Sequence, residues 1–475
     1  MATEDNFIVA IELGSSKVTA VAGRKQPDGA IQILAFAQEP STSFIRKGRI
    51  NNINKMTQCL INMKDKLEQK MQKSISRVYV GIGGMGMHTV GHSVIRNFET
   101  RVEVTQEIVD SMADENRASA SAERDILEAV PQEYRLGTQF QTDPVGIPSE
   151  SVECHYLNIV ASTSVKEEIR TCFRNAGIAI ADMPITTLAL ADNMLSESEK
   201  RSGCVFVDMG SETTSVAVFK NNLLRHLAVI PLGSANINKD LMSLQIEDDE
   251  AEELKLKYGS AQPEYDEGMP DIALRDGRTI SYHEFAGLVD ARMEEIIQNV
   301  NNQIFLSKYD RSQLIGGLVV TGGASLMKDV DKAFTRCTGF EKIRFVRNLR
   351  MGLRASDFPK FNKDGDCNAA LALVDKGENN CCGGELGQQN PALFEEEEAR
   401  AIKQQAEAEN AAAAKAEAEA REAQEAAAAA AAEAEAQKAA EEAKRQAERE
   451  EKKKQWNQRW GKVKHFFESL TSSED

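Results

Sequence analysis

Apolar residues in the first half of the chain come in short runs that are separated by turns of small residues. The runs at residues 7–11 and 18–22 flank the turn Gly14–Ser16, and the runs at residues 204–207 and 216–219 flank the turn Gly210–Thr213. Short apolar runs bounded by glycine and serine are typical of buried strands in hairpins. The pattern therefore predicts two similar β-hairpins whose turns can bring backbone N–H groups close to an anion.

A third apolar run, at residues 316–320, leads into Thr321, Gly322 and Gly323. This pattern predicts a buried strand, a Gly-Gly turn and then a helix. Glycine lets the backbone approach a flat or charged ligand closely. The two similar hairpin turns indicate a duplicated domain that binds a ligand between its halves.

The C-terminal part has a different pattern. No glycine or proline occurs from Ala392 to Trp460, and most residues there are strong helix formers such as Ala, Glu, Lys, Gln and Arg. Large apolar side chains are missing from Gln404 to Gln455, so a coiled-coil seam is not available. We predict a solvated helix with i,i+4 ion pairs, with disorder as the alternative for its Ala-rich centre. Residues 394–450 would span about 85 Å if they were fully helical.

The last segment is amphipathic. On a helix, its apolar side chains fall within an arc of roughly 120°, and most of its basic residues lie outside that arc. Arg459 points into the arc, although its long stem can lie along apolar surface. A helix of this kind lies in a membrane interface, and its basic residues, Lys462 among them, suit anionic lipid. The alternative is a helix packed on the protein's own core. The apolar residues of the arc are Trp456, Trp460, Val463, Phe466, Phe467 and Leu470.

Length and composition narrow the possible classes of protein. The chain has 475 residues, which is more than one core can hold, and a net charge of −17, which disfavours nucleic acid as a partner. It has no run of 18 apolar residues and starts with an acidic segment, so we expect a cytosolic protein without a signal peptide. The eight cysteines have no zinc-binding spacing and are expected to be reduced structural thiols.

One acidic residue lies next to the first turn, where it could contribute to anion or metal binding. Glu12 comes just before the first turn, an unusual place for a carboxylate in a buried strand. It could orient a water or a hydrated Mg²⁺ against phosphates, because Mg²⁺ binds through few protein ligands.

Taken together, the three turns resemble the phosphate 1, phosphate 2 and adenosine motifs of the superfamily that contains actin, sugar kinases and heat-shock-chaperone ATPases. Within it the chain is most similar to the FtsA family of bacterial division proteins, and a C-terminal amphipathic helix is also a hallmark of that family. The resemblance covers about Phe7 to Arg347. The phrases that support it are Tyr79–Ile82, Val104–Glu107, Val130–Tyr134, Asp143–Gly146, Leu224–Pro231 and Ala251–Gly259.

The resemblance implies an α/β, actin-like, two-lobed ATPase fold with an inserted subdomain called 1C. Lobe 1 would comprise residues 1–83, 164–200 and 346–382, and the insert residues 84–163. Lobe 2 would comprise residues 201–345. The Ala/Glu-rich spacer would occupy residues 383–451, and the membrane helix residues 452–471.

The family's motifs also imply roles for individual residues. The β- and γ-phosphates of ATP would be held by the two phosphate turns, the ribose and adenine by a helix and by the Gly-Gly turn, and Mg²⁺ by two carboxylates. For the phosphates these residues are Gly14, Ser15, Ser16 and Lys17 on one side and Gly210, Ser211, Thr213 and Thr214 on the other. For adenosine they are Glu252, Lys255, Gly322 and Gly323, and for Mg²⁺ they are Glu12 and Asp208.

The phosphate 2 turn departs from the family's pattern. The family usually reads Asp-Ile-Gly-Gly-Gly-Thr-Thr-Asp, whereas this chain reads Asp208-Met-Gly-Ser-Glu212-Thr-Thr-Ser215. An inward-pointing Glu212 would repel phosphates by on the order of a few kcal/mol. We therefore expect ATP binding with little or no hydrolysis.

The function that the resemblance implies is that of a non-motor adaptor. It would polymerise like actin and anchor filaments of FtsZ, the tubulin-like division GTPase, to the cytoplasmic face of the inner membrane at the division site. The FtsZ tail would bind at about residues 235–288, and later division proteins could dock on the insert. The alternatives are a pilus-assembly ATP-binding protein of the PilM type and a metabolic kinase of the same superfamily, for which no catalytic acid is evident.

Overall fold

The computed structural model describes residues 6–265, 269–355, 361, 364–385, 451–452 and 454. The chain divides into two compact units, residues 1–388 and 389–475. In the second unit the described residues 451, 452 and 454 are helical. The rest of the predicted spacer beyond residue 385 and of the predicted amphipathic helix lies outside the described residues. Among the described helices, none is long and apolar enough to cross a bilayer.

Residues 7–80 form the first part of an α/β lobe. The predicted first hairpin is present, because β1 and β2 pair antiparallel with Phe7 opposite Arg24 and Leu13 opposite Val18. The next helix begins after Asn52, whose side chain accepts a hydrogen bond from the Lys55 N–H. The elements are β1 (Phe7–Leu13), β2 (Lys17–Lys25), β3 (Ile31–Pro40), β4 (Ile45–Arg46), β5 (Arg49–Ile50), α1 (Ile53–Met71), β6 (Lys73–Ile75) and β7 (Arg77–Val80).

Residues 88–162 form an insert with its own small core. Its elements are β8 (His88–Glu103), α2 (Gln106–Ala118), β9 (Arg124–Leu136), β10 (Gln139–Gln141) and β11 (Pro148–Ser162). Strand β11 is central and pairs antiparallel with both β8 and β9. Helix α2 contacts β8 and β9 and contributes Met112 to the core, which also contains Val94, Val152 and Tyr156.

The chain then returns to the first lobe through α3 (Thr163–Asn175), β12 (Ala179–Asp182) and α4 (Thr186–Met194). Near the end of the first unit it returns again through β20 (Leu353–Arg354), α10 (Asn368–Lys376) and β21 (Cys382–Glu385). The main sheet of this lobe has six strands in the order β12-β7-β1-β2-β3-β20. Strand β21 pairs with β6 and runs to Glu385, three residues into the segment predicted as spacer.

Residues 197–345 form the second lobe. The predicted second hairpin is present as an antiparallel pair of β13 and β14, and β18 pairs parallel with β13. The predicted helix after the Gly-Gly turn is a 3₁₀ helix, Gly323–Leu326. The remaining elements are α5 (Glu197–Ser202), β13 (Cys204–Met209), β14 (Thr214–Lys220), β15 (Leu223–Ile230), α6 (Ala235–Leu241), a 3₁₀ helix (Met242–Leu244), α7 (Asp248–Tyr258), β16 (Ile272–Ala273), β17 (Thr279–Ile280), α8 (Tyr282–Leu306), β18 (Gly317–Thr321), α9 (Val330–Thr338) and β19 (Ile343–Phe345).

The central strands of the second lobe serve two cores. On β13, Val205 and Val207 belong to the core of the second lobe, whereas Cys204 and Phe206 belong to the core that includes the first lobe. Alternate side chains of a strand point to opposite faces of its sheet. The second sheet is therefore buried on both faces, which agrees with a near-continuous apolar run in the sequence. The structure confirms a two-lobed α/β fold.

The insert is joined to the second lobe. A single bridge between His88 and Ala228 connects β8 to β15. The Thr89 hydroxyl oxygen accepts a hydrogen bond from the Leu227 N–H at 3.1 Å and donates to the Leu227 carbonyl at 3.3 Å. Through these contacts the sheet of the insert continues the sheet of the second lobe.

Candidate nucleotide-binding cleft

A cavity of about 1520 Å³ lies between the two lobes. The first hairpin turn, the second hairpin turn and the Gly-Gly turn after β18 all line it. This volume exceeds the roughly 300–1,000 Å³ usual for small-molecule sites. The cavity is therefore large enough for a nucleotide.

The first turn is compact and held from behind. The Ser41 hydroxyl donates to the Gly14 carbonyl at 2.6 Å, and the Ser41 N–H donates to the Ser16 carbonyl at 3.1 Å. A Cβ atom at Gly14 would lie 2.5 Å from the Lys17 carbonyl oxygen, so a larger residue does not fit without a shift. The Lys17 ammonium group pairs with Asp366 at 3.0 Å. The turn thus presents a cation and small residues to the cavity.

The second turn is supported by the segment after β15. Its Gly210 and Ser211 carbonyls accept hydrogen bonds from the Ser234 N–H at 3.1 Å and the Ala235 N–H at 2.7 Å. A Cβ atom at Gly233 would lie 2.4 Å from the Ser211 carbonyl oxygen. Gly233 is therefore required for this close approach.

One predicted phosphate ligand is placed differently. Thr214 is fully buried, and its hydroxyl donates to the Leu232 carbonyl at 2.9 Å. It does not line the cavity, because it is the first residue of β14 and faces the interior. Its neighbour Thr213 does line the cavity.

Glu212 lines the cavity, but its charge is paired. Its carboxylate accepts a hydrogen bond from the Arg46 guanidinium at 3.1 Å and from the Lys47 N–H at 2.6 Å. The Lys239 ammonium group lies 3.8 Å from the same carboxylate. The expected repulsion of phosphates is thus partly offset by two cations, one from each lobe.

Two carboxyl groups face the cavity beside the phosphate turns. Burial and the nearby Asp208 charge raise the pKa of Glu12 to about 8, and Lys17 opposes this rise. Burial raises the pKa of Asp208 to about 6. A Cβ atom at Gly322 would lie 2.6 Å from Asp208 Oδ1, so this glycine leaves room for the carboxylate. A bound cation would favour both charged forms.

These two carboxyl groups fit Mg²⁺ bound together with phosphates. Among the residues that the structure describes, no group of three or more His, Cys, Asp or Glu side chains could hold a metal ion. Mg²⁺ typically uses one or two carboxylates, waters and phosphate oxygens, so Glu12 and Asp208 would suffice for it.

The other end of the cavity suits a nucleoside. Glu252 accepts hydrogen bonds from Lys255 Nζ at 2.6 Å and from Asn238 Nδ2 at 2.8 Å. The Asn238 Oδ1 atom is buried and has no hydrogen-bond partner in the described part of the chain. A buried acceptor of this kind fits a hydroxyl group of a ligand. Apolar side chains nearby include Met242 and Tyr258.

The structure brings most of the predicted site residues together. The predicted residues that line the cavity are Glu12, Gly14, Ser15, Ser16, Lys17, Asp208, Gly210, Ser211, Thr213, Glu252, Lys255, Gly322 and Gly323.

Other cavity residues were missed by sequence reasoning. They include Arg46, Gly48, Gly84, Asn238 and Asp366. The Gly83-Gly84 pair and Gly365 before Asp366 are glycine signals that could have pointed to some of them. Asn238 lies in α6, which has no glycine.

The predicted membrane-binding residues lie outside the described residues. These are Trp456, Arg459, Trp460, Lys462, Val463, Phe466, Phe467 and Leu470.

Comparison with known proteins agrees with the expected family. A family model described as "Cell division protein FtsA" matches residues 205–362, and one described as "SHS2 domain inserted in FTSA" matches residues 84–160. The cell division protein FtsA of Neisseria meningitidis is 29% identical over 339 residues, which are 70% of this chain and 81% of that protein. FtsA of Escherichia coli is 27% identical over 343 residues, 68% of this chain and 80% of that protein.

A solved structure supports the fold alone. The structure titled "PilM-PilN type IV pilus biogenesis complex" matches with a TM-score of 0.54 and 12% identity, covering 78% of this chain and 98% of that chain. Its match agrees with the two-lobed α/β fold, and both family models point to one family. The chain belongs to the FtsA family of the actin-like ATPase superfamily.

Proposed function

We propose that this chain is an ATP-binding cell division protein that assembles with itself and anchors FtsZ filaments to the cytoplasmic membrane at the division site. The observation that carries the nucleotide part is that three glycine-containing turns from two lobes line one cavity. The division role rests on the FtsA relatives and on the insert of that family.

ATP would lie with its phosphates between the two hairpin turns. Lys17 and the backbone N–H groups of the Gly14–Ser16 turn would hold them from lobe 1, and Ser211 and Thr213 from lobe 2. Asn238, Glu252 and Lys255 would bind the ribose and the edge of adenine. Mg²⁺, when bound, would neutralise phosphate charge.

We expect little hydrolysis of the bound ATP. The phosphate 2 turn has Ser211, Glu212 and Ser215 where the family's usual pattern has two glycines and an acid. The Glu212 carboxylate is engaged by Arg46 and Lys47 and so is not free to activate a water molecule. Sustained phosphate release by the wild-type chain that is lost in Asp208→Ala would contradict this expectation.

ATP binding itself can be tested by calorimetry with Mg²⁺ and ATP. The Lys17→Ala variant should weaken binding, because it removes a cation from the phosphate end of the cavity. Lys376→Ala is a matched control, since Lys376 also pairs with an aspartate, at 2.6 Å from Asp192, but does not line the cavity. Equal affinity of both variants and the wild type would contradict the proposed site.

The partners follow from the same proposal. The FtsZ tail would bind on the outer part of lobe 2, at about residues 235–288, which include α6 and α7. Self-association would give an actin-like protofilament, and later division proteins would dock on the insert. The angle between the lobes, set by ATP, would control self-association.

Membrane attachment would come from residues 452–471. A single short amphipathic helix binds weakly, but many helices on one polymer bind by avidity. Liposomes with anionic lipid should sediment the full chain and leave a chain that ends at Glu451 in solution. Trp460→Ala should weaken binding, whereas Asn457→Ala, a change outside the apolar arc, should not. Equal binding by the full and truncated chains would contradict this part of the proposal.

The spacer would set the distance between polymer and membrane. Deleting part of residues 404–450 should bring the polymer layer closer to the bilayer in cryo-tomograms. An unchanged distance would contradict this role.

A pilus-assembly role of the PilM type is the second candidate, favoured only by the fold similarity. Liposome binding that depends on the last 20 or so residues would favour the division role. No specific observation favours a role as a metabolic kinase. Turnover of a sugar by the purified chain would be needed to support that role.

A further inference from the structure

The Glu212 side chain joins the two lobes. It belongs to the phosphate 2 turn of lobe 2, yet both of its carboxylate oxygens accept hydrogen bonds from lobe 1. Oε1 pairs with the Arg46 guanidinium at 3.1 Å, and Oε2 accepts from the Lys47 N–H at 2.6 Å. The residue is 5% exposed. Hydrogen bonds to an ionised acceptor are among the strongest in proteins.

The partner of Glu212 is a tight turn between β4 and β5. Lys47 has a φ of 51° and Gly48 a φ of 71°, so both residues adopt the left-handed conformation. Two successive N–H groups of this turn donate to opposite sides of the cavity. The Lys47 N–H donates to Glu212, and the Gly48 N–H donates to the Ser15 hydroxyl oxygen at 2.8 Å. One turn therefore connects the phosphate 1 and phosphate 2 turns.

The same turn is packed against the point where the insert begins. The Lys47 carbonyl accepts a hydrogen bond from the Met85 N–H at 2.8 Å. A Cβ atom at Gly84 would lie 2.3 Å from the Gly48 carbonyl oxygen, and Gly84 has a φ of 102°. Only glycine permits this contact between two backbones. The match to the inserted SHS2 domain starts at residue 84.

We propose that Glu212 is a latch that closes the cleft by binding the Lys47–Gly48 turn and that transmits this closure to the root of the insert at Gly84 and Met85. The chain of contacts runs from Glu212 to Lys47, and from Lys47 and Gly48 to residues 84–85. A role of the Glu212 latch in regulating docking on the insert rests on the proposed function. The latch itself requires only the contacts described above.

The latch depends on a carboxylate at this position. A glycine, as in the usual family pattern, has no side chain that could reach the Arg46 guanidinium or accept from the Lys47 N–H. Loss of Glu212 leaves the Lys47 N–H without its partner. Glutamine keeps the length and one acceptor oxygen, but it loses the charge that pairs with Arg46. The effect of Glu212→Gln should therefore be intermediate between those of the wild type and Glu212→Ala.

Amide hydrogen exchange of the full chain tests the latch without added nucleotide. In Glu212→Ala, peptides covering residues 44–50 and 83–88 should exchange on the order of 10- to 100-fold faster, as expected when a hydrogen bond to a charged group is lost. Glu253→Ala is the matched control, because Glu253 pairs with Arg275 on the surface of the same lobe and is 66% exposed. It should leave both peptides unchanged.

Three results would decide the outcome. Faster exchange at both segments, with Glu212→Gln in between, supports the latch. Unchanged exchange at residues 44–50 overturns it, and so does a change confined to residues 44–50 with residues 83–88 unaffected. If Glu212→Ala does not fold, the Glu212→Gln variant provides the same comparison. Failure of the wild-type chain to bind ATP would contradict the proposed function and would leave this comparison intact.

Discussion

Replacing Glu12 by glutamine should stabilise the folded protein, and more so at high pH. Burial and the neighbouring Asp208 raise the pKa of Glu12 from 4.5 to about 8. The folded state therefore keeps this proton up to about pH 8, whereas the unfolded chain releases it above about pH 4.5. The stability conferred by the protonated form is fully present below pH 4.5 and is lost as the pH rises from 4.5 to about 8. Glutamine is neutral at every pH and avoids the loss.

The magnitude follows from the two pKa values. One pKa unit corresponds to about 1.4 kcal/mol, so the wild type has lost roughly 2 kcal/mol near pH 6 and roughly 4 kcal/mol near pH 8. The free energy of unfolding of Glu12→Gln, relative to wild type, should thus increase by about 2 kcal/mol between these two pH values. Asp208 is present in both proteins, so its own titration largely cancels in the comparison.

Urea unfolding at both pH values, without added Mg²⁺ or nucleotide, measures this difference. Glu99→Gln is the control, because Glu99 is exposed on β8 of the insert and should give no pH-dependent difference. Addition of Mg²⁺ and ATP should reduce the advantage of Glu12→Gln, since a cation favours the ionised carboxylate of the wild type. An advantage that stays constant or shrinks from pH 6 to pH 8 without these ligands would refute the reasoning.

Two further predictions concern the glycine turn and the insert. Gly322→Ala should weaken ATP binding at least tenfold and lower stability by roughly 1–3 kcal/mol, because its Cβ would lie 2.6 Å from Asp208 Oδ1 and its φ is 91°. The control Gly323→Ala should leave the melting temperature unchanged, because its Cβ would meet no atom within 4 Å. Equal melting temperatures of the two variants would argue against this packing. Asn116→Ala should lower stability by about 1–3 kcal/mol in thermal unfolding, because it removes the paired 2.8 Å hydrogen bonds with Asn158 and leaves that side chain buried without them. An unchanged melting temperature would show that this pair does not stabilise the insert.

The sequence was informative where local pattern decides structure. The hairpins at Phe7–Lys25 and Cys204–Lys220 were predictable, because each has apolar strands on both sides of a small turn. The strand that leads to Gly322 was predictable for the same reason. The family resemblance placed these turns together, and the structure brings thirteen of the predicted nucleotide and metal residues to one cavity.

Contacts between distant segments were not predictable. The sequence predicts that Glu212 places a negative charge beside the phosphates. Its partners Arg46 and Lys47 are 166 and 165 residues away, so the pairing of this charge was not predictable. Lys17 is predicted to hold the phosphates, and its partner Asp366 lies 349 residues away. Thr214 follows the motif, but its position on β14 turns its hydroxyl to Leu232. Such contacts depend on how the lobes pack, which one sequence pattern does not specify.

The proposed function requires that this chain connects FtsZ to a membrane. The most direct measurement is co-sedimentation of purified FtsZ, GTP and ATP with anionic liposomes in the presence of the full chain or of a chain that ends at Glu451. We expect FtsZ to sediment with the liposomes only when the full chain is present. If FtsZ remains in solution with the full chain, or sediments equally with the truncated one, the proposed function is wrong.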